Sequence, residues 1–158
     1  MLVIPVIDVR HGVVVRAVAG DRANYQPIVS PLFEGNSPSA AVCGLMAFHP
    51  FPVIYAADLD AIEGRARHAN IIRELANDHR GVEFWIDQGA RTLSDVADLL
   101  ALENVSAVIG SETGITPAEV RALVAGHGQR IILSLDHRAS GFLDDPGFLG
   151  DPDRRAHV

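Results

Sequence analysis

From Pro52 onward, short apolar runs alternate with stripes of apolar residues at helical spacing. The runs Pro52–Ala57, Val82–Ile86, Val105–Ile109 and Arg130–Leu135 read as buried strands. Between them, Ile71, Ile72, Leu75 and Ala76 form one helix face. Val96, Leu99 and Leu100 form a second, and Val120, Leu123 and Val124 a third. Thr92 with Asp95 predicts a capping box, and Thr116-Pro-Ala-Glu119 joins cap, N1 proline and N3 glutamate. Upstream, Leu2–Ile7 and Val13–Val18 are strand-like, and the polar stretch from Gly20 to Asn36 reads as a long loop. Ser37-Pro38 opens a short helix that Pro50 ends.

The spacing of the strand starts is roughly 25 residues, a βα period. The fold class is therefore α/β, a partial (β/α)8 TIM barrel of about five βα units. The barrel domain is expected over residues 1–143, with an irregular tail over 144–158 where periodicity is lost. A complete barrel takes about 250 residues, and the chain has 158. A truncated barrel with an open fifth-strand edge is therefore expected, and such an edge invites self-association. A self-contained flavodoxin-like domain is the competing architecture. Its first loop would be short and phosphate-binding, however, and Val13–Val18 has no place in it.

Composition narrows the function classes. The chain is 48% hydrophobic and 21% charged, as in a globular protein. Its longest apolar run falls short of a membrane span, and its first residues do not read as a signal peptide. The lone Cys43 cannot form an internal disulfide, which points to the cytoplasm. A net charge of −7 with scattered basic residues gives no nucleic-acid footprint. All 13 basic residues are arginines, so Schiff-base and P-loop lysine chemistry are excluded for this chain. Arginine remains for phosphate or carboxylate.

Candidate chemistry gathers after the apolar runs. Asp8 follows Leu2–Ile7, and Asp136 follows Ile131–Leu135. Carboxylates past the ends of buried parallel strands stand where α/β barrels carry out their reactions. Asp58 and Asp60 look like a metal pair on paper, but structural or substrate-positioning roles are expected ahead of metal binding. His49, His68, His79 and His127 show no ligand spacing, so no metal site is expected. Gly89 and Gly110-Ser111 could cradle a phosphate through backbone N–H groups, or merely permit tight βα turns. Arg16 and Arg91 are candidate anion contacts.

These residues resemble the HisA/HisF family of (β/α)8 barrels in histidine biosynthesis, over about residues 2 to 143. Ile4-Pro-Val-Ile-Asp-Val-Arg-His-Gly-Val-Val-Val-Arg16 looks like the family's opening strand and hairpin. Asp58-Leu-Asp60, Ile109-Gly-Ser111 and Leu135-Asp136 resemble its second, fourth and fifth strand ends. Asp87-Gln-Gly-Ala-Arg-Thr-Leu93 falls where the family has Gly-Gly-Gly-Ile-Arg-Ser-Leu, so Asp87 and Gln88 replace two glycines.

The resemblance implies an aminoaldose-to-aminoketose isomerase acting on a small phosphorylated substrate, with no cofactor. Asp8 is the expected base and Asp136 the acid. Arg16, Gly89, Gly110 and Ser111 are the expected substrate or phosphate contacts. The alternative is a non-catalytic half-barrel that binds a phosphorylated ligand or assembles with a partner.

Overall fold

The computed structural model describes residues 1–18, 24–135, 137–138 and 141–142. The apolar runs become β1 (Val6–Arg10), β2 (Val13–Arg16), β4 (Val53–Asp58), β5 (Glu83–Asp87), β6 (Val105–Gly110) and β7 (Ile131–Ser134). A short β3 (Gln26–Pro27) interrupts the expected long loop by pairing with β2. The helices are α1 (Pro38–Phe48), α2 (Leu59–Ile62), α3 (Ala69–Asp78), α4 (Leu93–Leu100) and α5 (Pro117–His127). A small ribbon, β8 (His137–Arg138) with β9 (Gly141–Phe142), follows β7. Asp136 and the expected tail lie outside the described residues.

The main sheet has the order β3-β2-β1-β4-β5-β6-β7. Strands β1, β4, β5, β6 and β7 pair in parallel, and their order in space is their order along the chain. Every right-handed crossover therefore steps the same way, which puts the connecting helices on one face. That is the winding of an α/β barrel, present here as part of one. A flavodoxin-like sheet reverses direction after its second strand and carries helices on both faces. No reversal occurs among the five parallel strands β1, β4, β5, β6 and β7.

Packing follows from the winding. Ile54, Phe84, Ile86, Ala107 and Ile109 point outward and are buried with Ile72, Leu75, Val96 and Leu99 of the helices. The opposite, inward face has a smaller apolar cluster, Val15, Ala57 and Leu59, joined by Tyr55.

One expectation shifts. Asp8 is not past the first strand but inside it, because β1 starts at Val6 and continues to Arg10 in a hairpin with β2. The turn residues His11 and Gly12 have φ of 51° and 78°, the positive values that a two-residue hairpin of this kind needs.

The turns at the strand N-termini are held by two side chains. Asn104 Nδ2 donates to the carbonyls of Ala76, His79 and Val82 at 2.9–3.2 Å. The Arg130 guanidinium donates to the carbonyls of Leu100, Leu102 and Val105. Leu100 and Leu102 lie at the end of α4, where orphan carbonyls and the negative helix end favour a cationic donor. Arg130→Ala is expected to lower unfolding stability by about 2–4 kcal/mol, read as a lower urea midpoint. Arg130→Lys is expected to recover little, since one ammonium cannot reach all of these carbonyls; full recovery would reduce Arg130 to a single useful contact.

Candidate active site

Strand register decides which side chains meet on the inward face. Asp8 pairs with Ala57, and Ala57 with Asp87. In-register residues of parallel strands share a face, so Asp8 and Asp87 flank the small Ala57, their Cα atoms about 10 Å apart at the usual strand spacing. Asp87 ends β5 and Asp58 ends β4, so this row lies at the C-terminal edge of the sheet, where barrel chemistry is found. Tyr55, one row below, reaches diagonally and donates its hydroxyl to Asp87 Oδ2 at 2.9 Å. The sequence reading noted Asp87 only as a lost glycine, and did not pick out Tyr55. Alternation along β5 (Glu83, Trp85, Asp87) was the signal that placed Asp87 inward.

The loop after β5 is closed by its own acids. Asp87 Oδ1 accepts from the Gly89 N–H at 2.9 Å. Asp95 Oδ2 accepts from the N–H groups of Arg91 and Thr92 at 2.9 and 3.0 Å, and Thr92 Oγ1 accepts from Asp95 N. This is the capping box predicted from the sequence. Arg67 pairs with Asp95 Oδ1 at 2.6 Å. Gln88 is buried and donates to the Asp95 carbonyl.

Burial pushes the Asp95 carboxyl up, but the Arg91 N–H, the Arg67 guanidinium and the Thr92 donors outweigh it and hold its pKa at about 2. A carboxyl whose pKa falls on folding adds stability above its unfolded value, lost as pH drops through the folded one. Asp95 is therefore expected to contribute about 2 kcal/mol at neutral pH, disappearing between about pH 4 and pH 2. Asp95→Asn should flatten the stability curve in that window; an unchanged slope there counts against the assignment.

The strand does not continue through Asp60. The chain turns into α2 at Asp58, its N-cap, and both carboxylates end up buried beside His68. Asp58 accepts from the Ala61 N–H, the His68 N–H and His68 Nδ1, at 3.2, 2.7 and 2.9 Å. Asp60 accepts from the His11 N–H and from Arg65 Nε at 2.7 Å. Burial raises the Asp60 carboxyl, but the His11 N–H and Arg65 prevail and hold it below its ordinary value. Ligand atoms of Asp58, Asp60 and His68 lie within 4.8 Å of one another, close enough to hold a metal ion. Their hydrogen bonds account for the arrangement as a fastening: it ties the β1–β2 turn, and so the strand bearing Asp8, to α2 and the start of α3.

The remaining expected contacts scatter. Arg16 neighbours Val15, which opposes Asp8, so strand alternation puts Arg16 on the other face, and it is exposed. Gly110 ends β6, and the buried Ser111 donates its N–H to the Ser134 carbonyl of β7 at 2.9 Å. These two do lie at the C-terminal edge, three strands from Asp8. A cavity of about 600 Å³ opens at the opposite end of the sheet, lined in part by Glu83, Trp85, Ser106, Arg130 and Ile132. There Glu83 accepts from Trp85 Nε1 and Ser106 Oγ at 2.9 and 2.6 Å. That end of a barrel carries stability rather than catalysis.

Comparison with known proteins adds a family. The model of the family described as "Histidine biosynthesis protein" matches residues 2–148. Among curated relatives, a protein of Streptococcus thermophilus is 30% identical over 151 residues, which is 94% of this chain and 59% of that protein. One of Geobacillus thermodenitrificans is 32% identical over 146 residues, 92% of this chain and 56% of its own. Both are named 1-(5-phosphoribosyl)-5-((5-phosphoribosylamino)methylideneamino) imidazole-4-carboxamide isomerase. The chain thus spans somewhat more than half the length of these relatives.

Proposed function

The chain belongs to the histidine biosynthesis protein family, and from that premise we propose that it is a HisA-like sugar-phosphate isomerase converting an aminoaldose to an aminoketose. The observation that carries the reading is Asp8, held on the inward face at the C-terminal edge of a singly wound parallel sheet. The names of the relatives supply the substrate class, a phosphoribosyl-bearing imidazole carboxamide.

The chemistry asks for an acid and a base. An acid protonates the ribose ring oxygen as its bond to C1 breaks, leaving an iminium between C1 and the substrate nitrogen. A base then takes the proton from C2, and the resulting enolamine accepts a proton at C1 while its C2 hydroxyl gives up its proton, so that C2 becomes the ketone. The rearrangement is redox-neutral, so it needs no redox cofactor. Two carboxyl groups whose environments set their pKa values apart can serve as acid and base. Asp8 is assigned as base and Asp136 as acid. Gly110 and Ser111, at the C-terminal end of β6, are the proposed phosphate contacts, with the Ser111 N–H already donated to Ser134. Arg16 is left out of the proposed site because of the face it occupies.

The cytoplasm suits this reading, and no helix among the described residues is long and apolar enough to cross a membrane. β7 ends the main sheet, and its outer edge is where a further strand or a second copy would add. The deciding experiment is to incubate the purified chain with the substrate that the relatives' name specifies and follow the aminoketose product. Turnover supports the isomerase. Saturable binding without turnover supports the binding half-barrel instead.

A further inference from the structure

A second cavity, of about 360 Å³, opens on the helix side of the sheet between α3 and α4. Small-molecule sites have this size, with apolar walls and a few placed polar groups. Here Ile72, Leu99 and Leu102 form the walls, the buried Gln88 the floor, and the exposed Arg73 and Asp98 the rim.

Gln88 is the residue that calls for a ligand. It follows Phe84 and Ile86 on the outward side of β5 and is only 3% exposed. Its Nε2 donates to the Asp95 carbonyl at 3.4 Å, a long bond that fixes the other end of the amide as the acceptor. No described residue donates to that Oε1. A buried acceptor without a donor is costly, and this one stands against open space rather than packed core. The rim adds two charges of opposite sign, one on each helix. Arg73 donates only to the neutral Asn70, and neither Arg73 nor Asp98 has an ion-pair partner among the described residues. Arg67 also lines the cavity, but Asp95 already matches its charge.

We propose that this cavity binds a free α-amino acid. Its carboxylate pairs with Arg73 and its ammonium with Asp98, while the side chain runs between the apolar walls and brings an N–H to Gln88 Oε1. Opposite charges at the rim suit a zwitterion better than a plain anion or cation. The site is independent of the isomerase reading, because it lies across the sheet from Asp8.

Amide NMR of the full chain, backbone and side-chain, titrated with L-glutamine, L-histidine, L-leucine and acetate, tests this. At least one of L-glutamine and L-histidine, whose side chains carry an N–H, is expected to shift the Gln88 side-chain amide and the Ile72 and Leu102 backbone amides saturably. L-leucine should bind about tenfold more weakly, the effect of one missing hydrogen bond. Arg73→Gln and Asp98→Asn, both at exposed positions that leave the core intact, should each weaken binding roughly tenfold.

Silence of the Gln88 side-chain amide with both ligands overturns the proposal, and so do shifts confined to the inward face around Asp8. L-leucine binding as tightly as either removes the contact on which the site rests. Acetate binding as tightly, or full affinity in both rim variants, overturns the zwitterion assignment.

Discussion

Asp8→Asn is expected to lower kcat/KM for the isomerisation by a factor on the order of 10³, within the range for loss of a general base. The substitution keeps the size and most hydrogen-bonding capacity of the side chain, and Asp8 lies inside a strand paired on both sides, with Val15 and with Ala57. Folding should therefore change little, and the loss should fall on kcat rather than on KM. The pH profile separates this role from a merely structural one. A base must be deprotonated to act, so the wild-type rate falls on the acidic side, and Asp8→Asn should lose that limb. Asp136→Asn should instead lose the basic limb, because an acid must be protonated. Retention of wild-type kcat in either variant removes that residue from the proposed pair.

The parts of the molecule governed by local rules were legible in the sequence. The capping boxes at Thr92 and Thr116 formed as their residue types dictate, and the apolar runs after Pro52 became β4 to β7 within a residue or two. What the apolar pattern alone left open depended on pairing partners. β1 extends past Asp8 because β2 folds back on it, a hairpin that the resemblance suggests but the run from Leu2 to Ile7 does not. The apolar run gives no sign that the chain leaves the strand at Asp58 and enters a helix, where His68 and His11 come in from other segments.

Asp87 shows the same limit from the site's side. As a departure from a glycine pattern it signalled only a weakened phosphate loop. Its contact with Tyr55 from the neighbouring strand, and its register with Asp8, turn that loss into a second inward carboxylate. The family match does not supply this feature, since it lies where this chain departs from the pattern it resembles. The inward row therefore carries two carboxylates: Asp8, which the resemblance points to, and Asp87, which only the sheet register reveals.

Gly89 carries the largest expected stability effect, and for a reason other than phosphate binding. Its φ is +59°, and a Cβ built there would lie 2.9 Å from Ile62 Cα, a backbone atom that cannot swing aside. The left-handed backbone alone costs a non-glycine residue about 1–2 kcal/mol, and forcing α2 away from the β5 loop adds about 1–3 kcal/mol more. Gly89→Ala is thus expected to destabilise the chain by about 2–5 kcal/mol. Gly64→Ala separates the two costs, because Gly64 has φ of +78° with no heavy atom within 4 Å of its Cβ position. It should show the backbone cost alone, about 1–2 kcal/mol. The difference between the two urea midpoints then measures the contact between Gly89 and Ile62. Equal losses in the two variants would mean that α2 yields freely, and that the β5 loop is not pinned against it. A larger loss at Gly89 ties the loop bearing Asp87 to the helix whose N-cap is Asp58. The conformation that presents Asp87 beside Asp8 is then held by packing as well as by hydrogen bonds.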